Sequence, residues 1–374
     1  MRRKYVSSIT MLIIVGTVLA ACGDGEAEDT TTSAATETTD AAPATTEATA
    51  TTEAPTTTAA GGIECDEPRT LSYATSLAED SAYYAGAVAL KEAAEEMSNG
   101  CIEIEIFANA ALGNDRDMIE GMQIGSIDMA SPSTGAMGSV VPEPTVLDLP
   151  YLFDDLDHVY CVLDGPIGTE DIYSMFDGVG FHPLGYWEIG FRNLTNNVNP
   201  VETPADVEGL RLRTLPSNVH QTAWSLVGAQ PVAMDFTELY NALDTGVVDG
   251  QENPLNIILT GNLHEVQTYL SFTQHVYGTA PTSISDMTWD SLSPELQEVI
   301  REAVAVSVVA QREAASGDEA GQLQQLLDFG MEVVEEPDRD AFRELMQPAW
   351  SDYTDQYPDN QELIDRIRAA AEEC

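Results

Sequence analysis

From Arg69 onward the hydrophobic period of this chain switches between that of a strand and that of a helix, a pattern few folds accommodate. "TLSYAT" (70–75) is strand-like and is followed by the amphipathic "SAYYAGAVALKEAAEEMS" (81–98), the alternating "IEIEIF" (102–107), the helical "DRDMIEGMQIG" (115–125) and the short "IDMAS" (127–131). Strands interleaved with helices predict a parallel α/β sheet with right-handed crossovers. A second series opens after "GVGFHPLGYWEIGF" (178–191): the strand "LRLRT" (210–214), a helix from Ser217, "AQPVAM" (229–234), a helix from Asp235 and "VVDGQE" (247–252). Two such series predict two lobes.

The C-terminal part reads differently. Residues 293–330 have helical spacing throughout, with Ser293 as N-cap, Pro294 in the first turn, Glu295 close behind and Gly330 as the stop. Gly317 and Gly321 permit a bend in it. A helix of this length is expected to brace both lobes. "DAFRELMQPAWSDYTDQ" (340–356) and "QELIDRIRAAAEE" (361–373) predict two final helices.

Ahead of the folded body lies a different kind of sequence. "MRRK" followed by "YVSSITMLIIVGTVLAAC" combines a charged start, an apolar stretch and small residues, the layout of a secretory signal over residues 1–21. Leu19-Ala20-Ala21-Cys22 resembles a bacterial lipobox, which makes Cys22 the expected lipidation site and the membrane an expected partner through a lipid anchor. Residues 22–62 are rich in Thr, Ala and Glu and almost lack large apolar side chains, so they are read as a disordered tether.

The formal charge of the 374 residues is −48. The first 62 residues hold three basic and eight acidic side chains, which leaves 12 basic against 55 acidic for the body. Nucleic acid and anionic lipid surfaces, which need a basic face, are therefore excluded as partners of the body. Four cysteines follow Cys22: Cys65, Cys101, Cys161 and Cys374. They form no CxxC or Cys/His cluster, and export favours disulfides over a metal. Sequence leaves three pairings open. Cys65 and Cys101 each precede a strand expected to be a parallel neighbour of the other, which favours Cys65–Cys101 and, by elimination, Cys161–Cys374.

Catalytic signatures are scarce. The chain has no HExxH, no GxSxG and no Walker or Rossmann glycine loop. Asp244-Thr245-Gly246 spells an aspartic protease triplet, but no second triplet occurs to share the proton, and Gly246 reads more simply as the end of a helix. The histidines at 158, 182, 220, 264 and 275 have no ligand spacing and read as surface or satisfied core residues. His275, between aromatic residues in "FTQHVYG", is the one candidate for a cleft.

The scarce positive charge is instead gathered: between Arg116 and Arg301 the only Lys or Arg residues are Arg192, Arg211 and Arg213. Arg213 precedes Thr214-Leu215-Pro216, at a strand end, where α/β sheets bind ligands. Arg192 sits in "GYWEIGFRNLTNN" near Trp187 and Phe191. A guanidinium in such surroundings calls for a carboxylate, which it forks with two parallel charge-assisted bonds. Strand alternation puts Arg211 and Arg213 on one face and does not choose between them. Pairing of either with surface carboxylates is the ordinary alternative.

Residues 185–254, "GYWEIGFRNLTNNVNPVETPADVEGLRLRTLPSNVHQTAWSLVGAQPVAMDFTELYNALDTGVVDGQENP", resemble the substrate-binding proteins of TRAP transporters of the C4-dicarboxylate type. "FANAALGNDRDMIEGMQIGSIDMA", "LDLPYLFDD" and "SPELQEVIREAV" extend the similarity over nearly the whole body. The resemblance implies a two-lobed, periplasmic-binding-protein-like α/β fold with a long helix bridging both lobes. Lobe I is then 66–189 with 279–318, and lobe II is 190–278 with 319–374. It implies a receptor rather than an enzyme, one that closes on a small organic acid anion and delivers it to a small and a large membrane permease subunit. By position Arg213 falls on the bidentate carboxylate clamp, Arg192 on a supporting arginine, Asn253 on an amide contact to the same carboxylate and Phe236 on an aromatic wall.

The chain also departs from the family. Where some members place an acidic residue after the third strand, it has Ser131-Pro132-Ser133-Thr134, so Ser133 joins the expected site and Glu79 or Asp80 is expected to supply the negative contact. Trp187 completes the expected set. The aromatic and acidic residues of metal-assisted members are not found, and neither a metal nor a cofactor is expected. A receptor for an ABC importer or a sensor kinase shares the same plan and is the alternative. An exported enzyme would have to draw on Glu188, Glu79 and His275.

Overall fold

The computed structural model describes residues 63–372 and Cys374. The expected signal peptide (1–21), Cys22 and the linker to residue 62 lie outside the described residues. The first series runs β1 (Arg69–Ala74), α1 (Ala82–Met97), β2 (Ile102–Phe107), α2 (Asp115–Gln123), β3 (Met129–Ala130), α3 (Thr134–Met137) and α4 (Leu156–Asp164). The long β4 (Phe181–Phe191) leads to the second series: β5 (Asn193–Asn196), β6 (Arg211–Thr214), α5 (Asn218–Leu226), β7 (Gln230–Ala233), α6 (Phe236–Asp244), β8 (Gly250–Asn253), α7 (Leu255–Thr260) and β9 (Tyr269–Ser271). The chain then returns through β10 (Tyr277–Ser285) and α8 (Asp286–Asp290) to α9 (Pro294–Ser316), α10 (Glu319–Asp328), β11 (Glu332–Val334), α11 (Arg339–Met346), α12 (Pro348–Gln356) and α13 (Gln361–Ala370).

Two sheets form, in the orders β2-β1-β3-β10-β4 and β11-β9-β5-β8-β6-β7. The expected parallel pairing of β1 with β2 is present, Arg69 opposite Ile102 through Ala74 opposite Phe107. The sheets are mixed rather than wholly parallel, because β10 runs antiparallel to β3 and β4, and β5 antiparallel to β8 and β9. One ribbon joins them: β4 and β10 pair in the first sheet, Arg192 N donates to Val276 O at 2.9 Å, and β5 and β9 continue the pairing in the second.

Local sequence explains the helices that bear on the site. Helix α1 is capped by Ser81, whose oxygen accepts from Tyr84 N at 3.2 Å, and it buries Tyr83, Ala87, Leu90 and Ala94 on one face. That face meets α9 closely at Gly86, where an added Cβ would lie 2.7 Å from Gln311 Cβ. Gln311 in turn covers the edge of β4, accepting from Glu188 N and donating to Glu188 O, each at 2.7 Å.

The long C-terminal helix is two helices. Gly317 ends α9 and the Asp318 carboxylate, accepting from Gly321 N at 3.1 Å, starts α10. Helix α9 packs on α1 and β4 of the first sheet and α10 on α7 of the second, so the brace between lobes is a jointed pair. The stretch 340–356 is also split, because Pro348 lacks an N–H and opens a new helix. Helix α11 buries Phe342 and Met346 against Trp224 on the second lobe. Helix α13 returns to the first lobe: Ile367 O is 2.7 Å from His158 Nε2 of α4, and Cys374 is bonded to Cys161 on the same helix. The other disulfide joins Cys65 to Cys101, with Cα atoms 5.7 Å apart.

Candidate functional site

Between the sheets lies a partly enclosed cavity lined by both of them. Its first-lobe wall is built from the end of β1 (Ala74 to Leu77), Tyr83 of α1, Asp115 and Met118 of α2, and Ser131 to Ser133 after β3. Arg213 of β6, Leu215 just after it, Phe236 at the start of α6, Asn253 at the end of β8 and Ile257 supply the other wall, with Ile189 and Arg192 from the connecting ribbon. Strand ends and helix starts thus converge on one space, as open α/β sheets arrange.

Arg213 is 1% exposed, yet only its Nε is bonded, donating to Met234 O at 2.9 Å. Nη1 and Nη2 are buried without a partner. Burial, and after it the charge of Arg192, brings the guanidinium down to about 10, which leaves it cationic at neutral pH. Two unmet donors on a desolvated cation make this the most anion-demanding point of the wall. Arg211, two residues earlier, is exposed and held by Asp249, with Nε 3.0 Å from Oδ2. The strand runs from the surface into the cleft, so same-face alternation does not make the two arginines equivalent.

Arg192 is also 1% exposed, but its charge is already met. Its Nε and Nη2 donate to the Glu252 carboxylate, Nη2 to Oε1 at 3.0 Å. Burial alone would raise the Glu252 carboxyl, but Arg192 and His275 outweigh it and hold it well below the usual carboxylate range. His275 Nε2 lies 3.0 Å from Glu252 Oε2 and its Nδ1 2.9 Å from Thr273 Oγ1. Burial lowers the imidazole pKa against the pull of Glu252. His275 is thus part of a buried support behind Arg192 and does not line the cavity.

Of the other expected site residues, Asn253, Phe236 and Ser133 line the cavity. Asn253 uses one amide hydrogen on Gln251 Oε1 at 2.6 Å and keeps the other. Ser133 caps α3, accepting from Ala136 N at 3.1 Å, and keeps its hydroxyl hydrogen. Two residues stand elsewhere. Trp187 is 0% exposed and sits a layer back, its ring 5.6 Å from that of Tyr83 and its Nε1 donating to Ser307 Oγ at 3.1 Å. Glu79 is exposed and is not among the lining residues.

The acidic group in the cavity is Asp115, which the sequence reading passed over. It opens α2, and Ser76 Oγ donates to its Oδ1 at 2.7 Å. Burial raises its carboxyl above the ordinary value, with Ser76 and Arg213 pulling it down. An acid in a first turn reads as ordinary helix electrostatics, which is why it carried no signal. Glu188, Glu79 and His275 are not brought together: Glu188 bonds Tyr160, Glu79 is exposed and His275 is behind Arg192.

Residues 73–356 match the model of the bacterial extracellular solute-binding proteins, family 7. The chain belongs to this family. Its members are substrate-binding receptors of TRAP transporters, and the chain is a two-lobed α/β protein of that kind. The TRAP periplasmic solute-binding protein of Bordetella bronchispeptica, solved with density interpreted as pantoate, is 42% identical; the match covers 80% of this chain and 98% of that one, with a TM-score of 0.77. A TRAP protein from Polaromonas sp. JS666, bound to D-erythronate, is 37% identical over 81% of this chain and 99% of its own, with a TM-score of 0.78. The C4-dicarboxylate-binding periplasmic protein of Rhodobacter capsulatus is 30% identical over 311 residues, 82% of this chain and 92% of that protein. Among the described residues no helix is long and apolar enough to cross a membrane.

Proposed function

We propose that this TRAP receptor is exported, is anchored to the membrane through a lipidated Cys22, captures an organic acid anion by closure of its two lobes and delivers it to small and large permease subunits. In this reading Arg213 forks the ligand carboxylate, the free amide hydrogen of Asn253 joins it, Arg192 supports the same end of the site, Phe236 forms a wall and Ser133 donates its hydroxyl. The observation that carries the reading is the pair of buried, unpartnered nitrogens on Arg213. A carboxylate supplies the two acceptors they lack. Relatives whose bound molecules are organic acids support the same ligand class.

Calorimetric titration with pantoate and D-erythronate tests it on three proteins: the unaltered chain, Arg213→Lys and Arg211→Lys. Lysine keeps the charge but not the planar fork. Losing one or two charge-assisted bonds of roughly 1.5–3 kcal/mol each is expected to weaken binding at least about tenfold for Arg213→Lys. Arg211→Lys is expected to change little, because that pair is exposed. Equal affinities, or a larger loss at 211, would remove the clamp from Arg213.

A further inference from the structure

The polar atoms of the cavity are mostly committed to the protein itself. Ser131 Oγ accepts from Tyr73 and donates to Thr282 Oγ1 at 3.0 Å. Ser76 donates to Asp115, and the Thr75 and Ser133 oxygens each accept a backbone N–H. Beyond the carboxylate clamp, a ligand finds the Asp115 carboxylate, bonded by Ser76 at Oδ1, and the hydroxyl hydrogens of Thr75 and Ser133. Apart from the Tyr83 hydroxyl, the rest of the lining is mainly apolar: Leu77, Met118, Ile189, Leu215, Phe236 and Ile257.

Charge divides the same way. Arg192 is neutralised by Glu252, which leaves Arg213 as the uncompensated cation among the described lining residues, with Asp115 on the facing lobe. A second carboxylate on the ligand would meet an acid or an apolar wall. Hydroxyls on every carbon would leave several against side chains that offer no hydrogen bond, each at about tenfold to a hundredfold in binding.

Resting on the receptor reading above, we propose that the ligand is a short, branched aliphatic monocarboxylate with one or two hydroxyls, and that Asp115 with Ser76 reads a hydroxyl. The apolar body of such a molecule fills the space between Met118, Ile189, Phe236 and Ile257, and its single charge matches the single free guanidinium.

The test is calorimetric titration of the full chain with five acids: 2-hydroxyisovalerate and pantoate, which have the stated features, isovalerate, which lacks a hydroxyl, D-galactonate, which has one on every chain carbon, and succinate, which has a second carboxylate. One of the first two is expected to bind at least about tenfold tighter than each of the other three. In Asp115→Leu the advantage of that acid over isovalerate should shrink by about tenfold, a comparison within one variant that general damage to the fold does not produce. Galactonate or succinate binding as tightly as the branched hydroxy acids, with the affinity lost in Arg213→Lys, overturns this inference and leaves the receptor reading standing. An unchanged hydroxyl preference in Asp115→Leu overturns the role of Asp115. Binding of none of the five overturns both readings.

Discussion

Asn114 and Asp235, the residues that precede α2 on one lobe and α6 on the other, are hydrogen-bonded to each other, with Nδ2 2.8 Å from Oδ2. The amide is oriented for this by its own helix, since Asn114 Oδ1 accepts from Asp117 N at 2.9 Å in a reciprocal cap. Each residue is followed directly by a cavity residue, Asp115 and Phe236. The bond is therefore a polar clasp between lobes beside the binding space.

Asn114→Asp keeps a good N-cap but sets carboxylate against carboxylate. Ligand release, followed by stopped-flow displacement, should quicken about fivefold, the equivalent of roughly 1 kcal/mol for a partly exposed pair. Adding Asp235→Asn restores a donor opposite an acceptor and should return the rate toward its original value. A double variant that releases ligand as fast as the single one would show that the clasp does not hold the lobes.

Glu188 lies outside the cleft, and burial, ahead of its other influences, raises its carboxyl above the usual value despite the bond from Tyr160. A raised folded-state value means that the folded protein holds this proton more tightly than the unfolded chain. The associated stability is fully present below the unfolded value of about 4.3 and is lost as pH rises through the folded one. Glu188→Gln should therefore compare most favourably with the unaltered protein at pH 7, and the gap should close toward pH 4. Urea midpoints at the two pH values check this; a gap that widens on acidification has the wrong sign. Glu252, held low by Arg192, contributes in the opposite sense: its stability is present above about 4.3 and disappears as pH falls through the depressed value.

Peptide mapping without reductant should recover Cys65 linked to Cys101 and Cys161 linked to Cys374, bridging separations of 36 and 213 residues. Opening either bond should lower stability by about 2–4 kcal/mol in denaturant unfolding. Any of the four recovered as a free thiol, or in another pairing, contradicts the assignment.

Replacing Cys22 by Ser should move the protein from the membrane fraction to the soluble fraction after cell lysis, because the acyl chains are the expected anchor. An unchanged distribution argues against lipidation at that position.

The strand–helix alternation made both series legible, down to the parallel pairing of β1 with β2. Strand β10 was not, because "YGTAPTSIS" shows neither an apolar run nor a clean alternation; all nine residues are buried and most are small or hydroxylated. Scarce charge pointed to Arg192, Arg211 and Arg213, and only the family resemblance separated Arg213, which lines the cavity, from the exposed Arg211. The site was not legible at Trp187, where nearness to an arginine in sequence suggested a cleft wall. In the ladder Gly278 pairs with Gly190 and Thr279 with Glu188, so Ile189 bulges out between them and is the ribbon residue that lines the cavity with Arg192, while Trp187 stays in the core behind Tyr83. A one-residue bulge of this kind leaves no mark on hydrophobic period.

The Cys65–Cys101 bond has a mechanical consequence. Cys65 precedes β1 and Cys101 precedes β2, and those strands are parallel neighbours in register. A pull on the chain at Glu64 thus enters the body at a covalent fork and is divided between two adjacent strands. Their mutual hydrogen bonds are not sheared against each other, because both strands are drawn in the same direction. Peeling β1 away from β2 from that end would require breaking a sulfur–sulfur bond first. The point at which the body meets the preceding segment is thereby fastened to two strands at once.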